Sequence, residues 1–325
     1  MSNIDVEVTR YNEKVFLLSA GYRKHYLHFD NLNGSGVLMY FIIMGMNKVN
    51  IPWATDKDLW QDVIDFVNEQ FGLKKDISFS SVVRKYLVQD RIERRALFYS
   101  GGKDSTFAHL LTRDAELLQF VSPVYKSVAF FPSEFCTSNV DNELFHSKVP
   151  SEYLKLEIMF PLIARHREVL MGVEKDSWDN HIPYNGFDIV KWQQILYKHG
   201  IIFDSPIKDY YSNFILEELH KLKQPFVKCN YAAISKRADK ITDGKDFCYD
   251  CMRCIVNYAM GCNVEKHGFD REKFLALKIR PTGAKTFRDF LELRYKASAY
   301  GLKQKDMLIK IADEFGALNS EIPYE

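Results

Sequence analysis

Two periods of hydrophobic spacing alternate through the middle of this chain. From residue 95 onwards, short apolar runs of strand length are followed by stretches whose apolar residues recur three and four positions apart. The runs 96–100, 125–131, 169–172 and 201–203 read as strands. The stretches 104–112, 150–165, 189–198 and 211–222 read as helices, the second bent at Pro161. Strand–helix alternation implies parallel βαβ units with right-handed crossovers and helices on both faces of one sheet. The fold class expected is α/β, a doubly wound parallel sheet. Ligands of such sheets lie beyond the carboxyl ends of the strands, where the strand order reverses.

The flanking regions follow other patterns. Residues 6–8, 15–18 and 26–29 read as short strands, and 31–36 as a turn. Residues 56–71 form the clearest helix, with Leu59, Trp60, Val63, Ile64, Val67 and Phe71 on one face. Residues 1–92 are therefore expected to form an α+β unit of their own, whose sequence suggests no role. After residue 262 the pattern turns helical, at 270–278 and 287–300, without evident chemistry. Three segments result: the N-terminal unit 1–92, an α/β domain 93–262, and a helical extension 263–325.

Composition narrows the class. The 325 residues are 46% hydrophobic and 27% charged, ordinary values for a globular protein. A net charge of +1 argues against strong nonspecific nucleic-acid binding. The longest apolar run, 37–46, is shorter than the roughly 20 residues of a membrane span. No membrane partner is expected, and a cytoplasmic location is the default.

The most informative stretch is Ser100-Gly101-Gly102-Lys103-Asp104-Ser105. It lies between an apolar strand and a helix, so two glycines bring main chain close to whatever sits at a helix N-terminus. That geometry suits phosphate, with Ser100 and Ser105 as hydroxyl donors and Lys103 as a cation. Asp104 fits helix capping or a magnesium ion carried with the phosphates. The spacing is not that of a Walker A loop. A plain Gly-Gly turn before a helix is the alternative.

Cys248, Cys251 and Cys254 are spaced two residues apart, and Cys229 lies 18 intervening residues upstream. Four thiolates so arranged can close a tetrahedral zinc site. An iron–sulfur cluster, a redox pair or buried structural cysteines remain open. Cys136 and Cys262 look spare, and His146, His166 and His199 read as surface or capping residues.

Ser100 to Ser105 resembles the SGGxDS signature of the PP-loop ATP pyrophosphatases, which cleave ATP between the α- and β-phosphates and transfer AMP to an acceptor oxygen. With the cysteine cluster, the chain resembles the QueC-like branch, typified by 7-cyano-7-deazaguanine synthase. The resemblance spans about residues 95 to 262 and includes two further pieces, Met171-Gly172-Val173-Glu174-Lys175-Asp176 and Phe203-Asp204-Ser205-Pro206-Ile207. It implies the adenine nucleotide alpha hydrolase type of sheet, with ATP, Mg²⁺ and Zn²⁺. It further implies nucleotide binding by Ser100 to Ser105 and Gly172, catalytic roles for Lys103, Asp104 and Asp176, and zinc on Cys229, Cys248, Cys251 and Cys254.

The chain departs from this branch in three places. Its first cysteine stands further upstream, across an insertion holding Lys236, Arg237, Asp239 and Lys240. Residues 132–135 are Pro-Ser-Glu-Phe where the family has Tyr-Gly-Gln, and Ser212 stands where a lysine is usual.

Glu174, Lys175, Asp176, Trp178, Asp179, Asn180 and His181 crowd the segment after the third strand, and read as a site loop or as solvated surface. Glu174 and Trp178 are the candidate contacts to an acceptor, Trp178 by stacking on a planar base. The implied function is adenylation of a carboxyl or amide group on a small-molecule or modified-base acceptor, of 7-deazaguanine type or a conjugate of it, with presentation by a protein and homodimer formation left open. QueC-like proteins also occur in bacterial defence systems. The alternatives are another adenylating chemistry, tRNA sulfur transfer through Cys136 or amino-acid epimerisation, and a non-catalytic nucleotide- and zinc-binding module.

Overall fold

The computed structural model describes residues 6–11, 15–20, 23–28, 48–51, 56–71, 76–79, 91–121, 127–138, 159–179 and 188–227, with isolated positions elsewhere. In chain order the elements are β1 (Val6–Tyr11), β2 (Val15–Ala20), β3 (Arg23–His28), β4 (Lys48–Ile51), α1 (Lys57–Phe71), β5 (Asp76–Phe79), β6 (Ile92–Phe98) and α2 (Lys103–Leu111). There follow β7 (Glu116–Val121), β8 (Glu134–Ser138), β9 (His166–Met171), α3 (Lys175–Asp179), α4 (Ile189–Lys198), β10 (Ile202–Asp204) and α5 (Ser212–Lys221).

Five of these strands run parallel in the order β8-β7-β6-β9-β10, and with the helices they make an α/β fold. The parallel part begins at β6, builds outward through β7 and β8, then returns to place β9 on the other side of β6. The strand order therefore reverses between β6 and β9, which pair from Arg95↔Glu168 to Phe98↔Met171. The first half of β6 is charged, and its side chains meet those of β9: Arg95 Nε lies 2.8 Å from Glu168 and Arg167 Nη1 lies 3.0 Å from Glu93. The second half, Ala96, Leu97 and Phe98, is buried, as a central parallel strand covered on both faces requires.

The chain divides into two compact units. The first comprises residues 1–100, 108–173 and 183–206, and the second 101–107, 174–182 and 207–325. In the first unit, β1, β2 and β3 form an antiparallel meander that joins the parallel strands, Leu27 pairing with Ser138 and His28 with Thr137 of β8. The strands of the segment 1–92 thus share one eight-stranded sheet with those of the α/β domain, apart from the parallel pair β4–β5. Helix α1 packs on α4 through Phe66 and Trp192, stacked with centroids 5.0 Å apart. Gly36 sits so close to the Leu162 carbonyl that a Cβ would fall 1.7 Å from its oxygen.

The described part of the stretch 125–131, residues 127–131, does not supply the second strand. That strand is β7, which was not anticipated, and residues 127–131 are not a strand. The Gln119 side chain takes the place of a ladder there. It accepts from Val128 N at 2.9 Å and donates to Val128 O at 2.8 Å. Phe131 packs edge-on against Tyr99 and His109, which explains the apolar character of the stretch without a strand. Residues 174–179 are likewise not an irregular loop, since α3 occupies most of them.

His166 corrects the surface reading: it is fully buried at the start of β9 and holds Glu116 through Nε2 at 2.8 Å. Burial, aided by Arg94 and Arg91 against the opposing Glu134, pulls its pKa down to about 4. The neutral ring therefore donates its Nε2–H to the carboxylate. His199 does cap a helix, α4, and contacts Asp62 at 2.7 Å. Among the described residues no helix is long and apolar enough to cross a membrane.

Candidate functional site

The predicted phosphate loop begins where β6 ends. Tyr99 still pairs with β7, its N–H reaching Leu118 O at 2.9 Å, and Ser100 is exposed. Gly101 then takes φ 75°, the left-handed region that favours glycine. This reversal lets a strand turn into helix α2 across the four residues 99–102. The loop carbonyls are tied inside the second unit: Gly101 O accepts from Val227 N at 2.7 Å, and Gly102 O from Thr106 N at 3.0 Å. Ser105, expected to face a ligand, is buried and donates its hydroxyl to Gly102 O at 3.2 Å, so it braces the turn.

The cation of the loop is engaged by two carboxylates. Lys103 Nζ lies 2.5 Å from Asp104 Oδ1 and 2.9 Å from Glu174 Oε2. Lys103 and Glu174 are both buried, while the Asp104 side chain keeps 24% of its surface exposed. The three groups sum to one negative charge. Of the two carboxylates, Asp104 is the one that a divalent cation arriving with phosphates could reach.

Gly172 and Val173 follow β9 in the first unit, directly after Met171, which pairs with Phe98 at the end of β6. Val173 is tied to Ser205, which follows β10: its N–H reaches Ser205 Oγ at 3.0 Å, and that hydroxyl donates back to Val173 O at 2.7 Å. Ser205 N in turn donates to the Asp204 carboxylate at 2.9 Å. The two segments singled out beyond the loop, 171–176 and 203–207, are therefore joined at neighbouring strand ends.

Glu174 opens α3. Its carbonyl accepts from Ser177 N and Trp178 N, both at 3.0 Å. Trp178 is 9% exposed, and Lys208 Nζ stands 5.6 Å from its ring centroid. A tryptophan so covered is not an open stacking platform for a base. Lys175 is anchored by its N–H to Tyr210 O at 3.0 Å, and its ammonium lies 4.9 Å from the Tyr211 ring centroid. Asp176 falls within α3, with its side chain outside the described set.

Ser205 and Lys208 were given no role by sequence reasoning. A serine followed by proline directly after a strand is the signal that could have marked the first, whereas nothing in the local pattern marks the second. Cys229, Cys248, Cys251 and Cys254 lie outside the described residues, and among those described no cluster of three or more His, Cys, Asp or Glu is arranged to hold a metal. Cys136, in β8, is fully buried and unpaired, and burial pushes its thiol pKa far up.

No protein-family model, curated protein or solved structure matches this chain.

Proposed function

We propose that this chain is an ATP-dependent adenylating enzyme of the PP-loop type, with QueC-like chemistry. One observation carries the reading. The Ser100 to Ser105 signature and the Gly172–Glu174 segment continue the two parallel strands between which the strand order reverses, the position where α/β sheets receive ligands. The left-handed Gly101 and the helix opening at Lys103 fit a phosphate group, which favours the positive end of a helix dipole.

In this reading an acceptor carboxyl oxygen attacks the α-phosphorus of ATP and pyrophosphate leaves. A nitrogen nucleophile, ammonia in the type reaction of the branch, then attacks the activated carbonyl carbon and AMP departs. Lys103 neutralises charge on the phosphates, and the first turn of α2 orients them. Magnesium fits the carboxylate of Asp104, which keeps part of its surface exposed beside the first turn of α2. Asp104 would hold it, and bound there it would offset the charge of the departing pyrophosphate. Zinc belongs to the four cysteines as a structural ion.

The acceptor is read as a small molecule or modified base of 7-deazaguanine type. With Trp178 covered, the acceptor's plane rests on other groups than that indole. Sulfur transfer is disfavoured, since a persulfide carrier needs an accessible, readily ionised thiol and Cys136 is neither. Incubation with ATP and magnesium, with and without a panel of carboxylated bases, tests the reading. AMP and pyrophosphate are the expected products; ADP and phosphate would overturn it.

A further inference from the structure

Glu174 was singled out as a contact to the acceptor, and its surroundings assign it a different task. Its side chain is 3% exposed, so little of it is left for a diffusing molecule to reach. Its carboxylate meets the Lys103 ammonium at 2.9 Å, across 71 positions of sequence. The backbone that carries it is fixed by Ser177 N and Trp178 N on its own carbonyl, and by the Lys175–Tyr210 bond one residue later. The carboxylate is thus mounted on a held support, while lysine is a flexible stem with about 2 kcal/mol of rotamer entropy. Two buried opposite charges at this distance must be settled together as the protein folds, because either alone in the interior is strongly unfavourable.

We propose that Glu174 is the positioning residue for Lys103: it stations the ammonium at the first turn of α2, where that ammonium serves a phosphate of the nucleotide, and it makes its contribution only through that lysine. Asp104, the more exposed of the two carboxylates, is the partner that yields its share of the ammonium when the phosphates arrive. The proposal rests on the nucleotide reading above.

The test is a double-mutant cycle read by titration calorimetry with a non-hydrolysable α,β-methylene ATP analogue and magnesium. It compares the wild type, Lys103→Met, Glu174→Leu and the double variant. Each single substitution is expected to weaken binding at least about tenfold. The double variant, whose buried pair is replaced by apolar side chains of similar size, is expected to stay folded and to bind no more weakly than Lys103→Met alone. If Glu174→Leu does not fold, the comparison rests on the double variant, whose affinity should equal that of Lys103→Met. Wild-type affinity in the Glu174 variant, or losses that add in the double variant, would overturn the positioning role while leaving the nucleotide reading standing. A wild-type protein that does not bind the analogue at all would overturn both.

Discussion

Arg91 and Lys103 stand on either side of β6 in the chain, the first half-buried and the second buried, and the two cations are satisfied in opposite ways. Arg91 Nη1 reaches three backbone carbonyls, Pro161 O at 3.1 Å, Ala164 O at 3.0 Å and His166 O at 2.8 Å. Burial lowers its pKa to about 10, so it stays charged at neutral pH. Lys103 instead meets two carboxylates, one of them partly exposed. Carbonyls are neutral and part of the fold, so nothing that binds the protein can compete for the guanidinium without unfolding the chain around it. Carboxylates are charges that another cation can take over, so the ammonium can change partners. In the proposed reading the difference separates a clamp from a working group, in keeping with the general asymmetry of α/β sheets, whose chemistry sits after the carboxyl ends of the strands.

Substitutions that act on one side and spare the other would sharpen the contrast. Arg91→Met should have the largest effect, on stability alone. Removing the guanidinium strips three buried carbonyls of a charged donor, at a cost of roughly 3–5 kcal/mol. Thermal denaturation should show a lower Tm, with nucleotide affinity of the folded fraction unchanged. An equal loss of affinity would break the comparison.

Asp104→Asn should do the reverse. It keeps the shape of the side chain while removing a charge assigned to magnesium and phosphate. Pyrophosphate release should fall by about 100-fold, the scale seen when one electrostatic group is lost from a reacting centre. The melting temperature should move little. A variant that turned over normally but melted early would place Asp104 with the structural groups.

The third test concerns His166, whose backbone carbonyl is one of the three held by Arg91. Its folded pKa, about 4, lies below the ordinary value near 6.5, so the unfolded chain takes up a proton first as the pH falls. Stability is therefore complete above about pH 6.5, declines as the pH drops towards 4, and levels off below it. Between pH 7 and pH 5 the loss should be roughly 2 kcal/mol. Urea denaturation as a function of pH should show this slope in the wild type and a flatter one in His166→Gln. An unchanged slope would assign the acid sensitivity to other groups.

Much of the parallel sheet was legible because its signals are local. Helix α4 falls where its apolar spacing places it, and α1 differs by one residue. The turn at Gly101 was legible too, since two glycines between a strand and a helix leave few conformations. The errors arose where tertiary partners override local pattern. Residues 127–131 look like a strand, yet the Gln119 amide meets the backbone at Val128, and among the described residues no strand pairs with them. His166 looks like surface because nothing in its vicinity announces Glu116, which lies 50 positions away in the chain.

The sequence by itself determined the α/β class, the strand–Gly-Gly–helix turn and the cysteine spacing, because each depends on side chains close together in the chain. Only the tertiary structure decided which strands became neighbours, that β1–β3 extend the same sheet, and that Glu174 meets Lys103 while Trp178 is covered. Those outcomes depend on burial and charge pairing between segments far apart in sequence. Residue spacing does not encode the distance between two such segments, which is set only when the whole core closes.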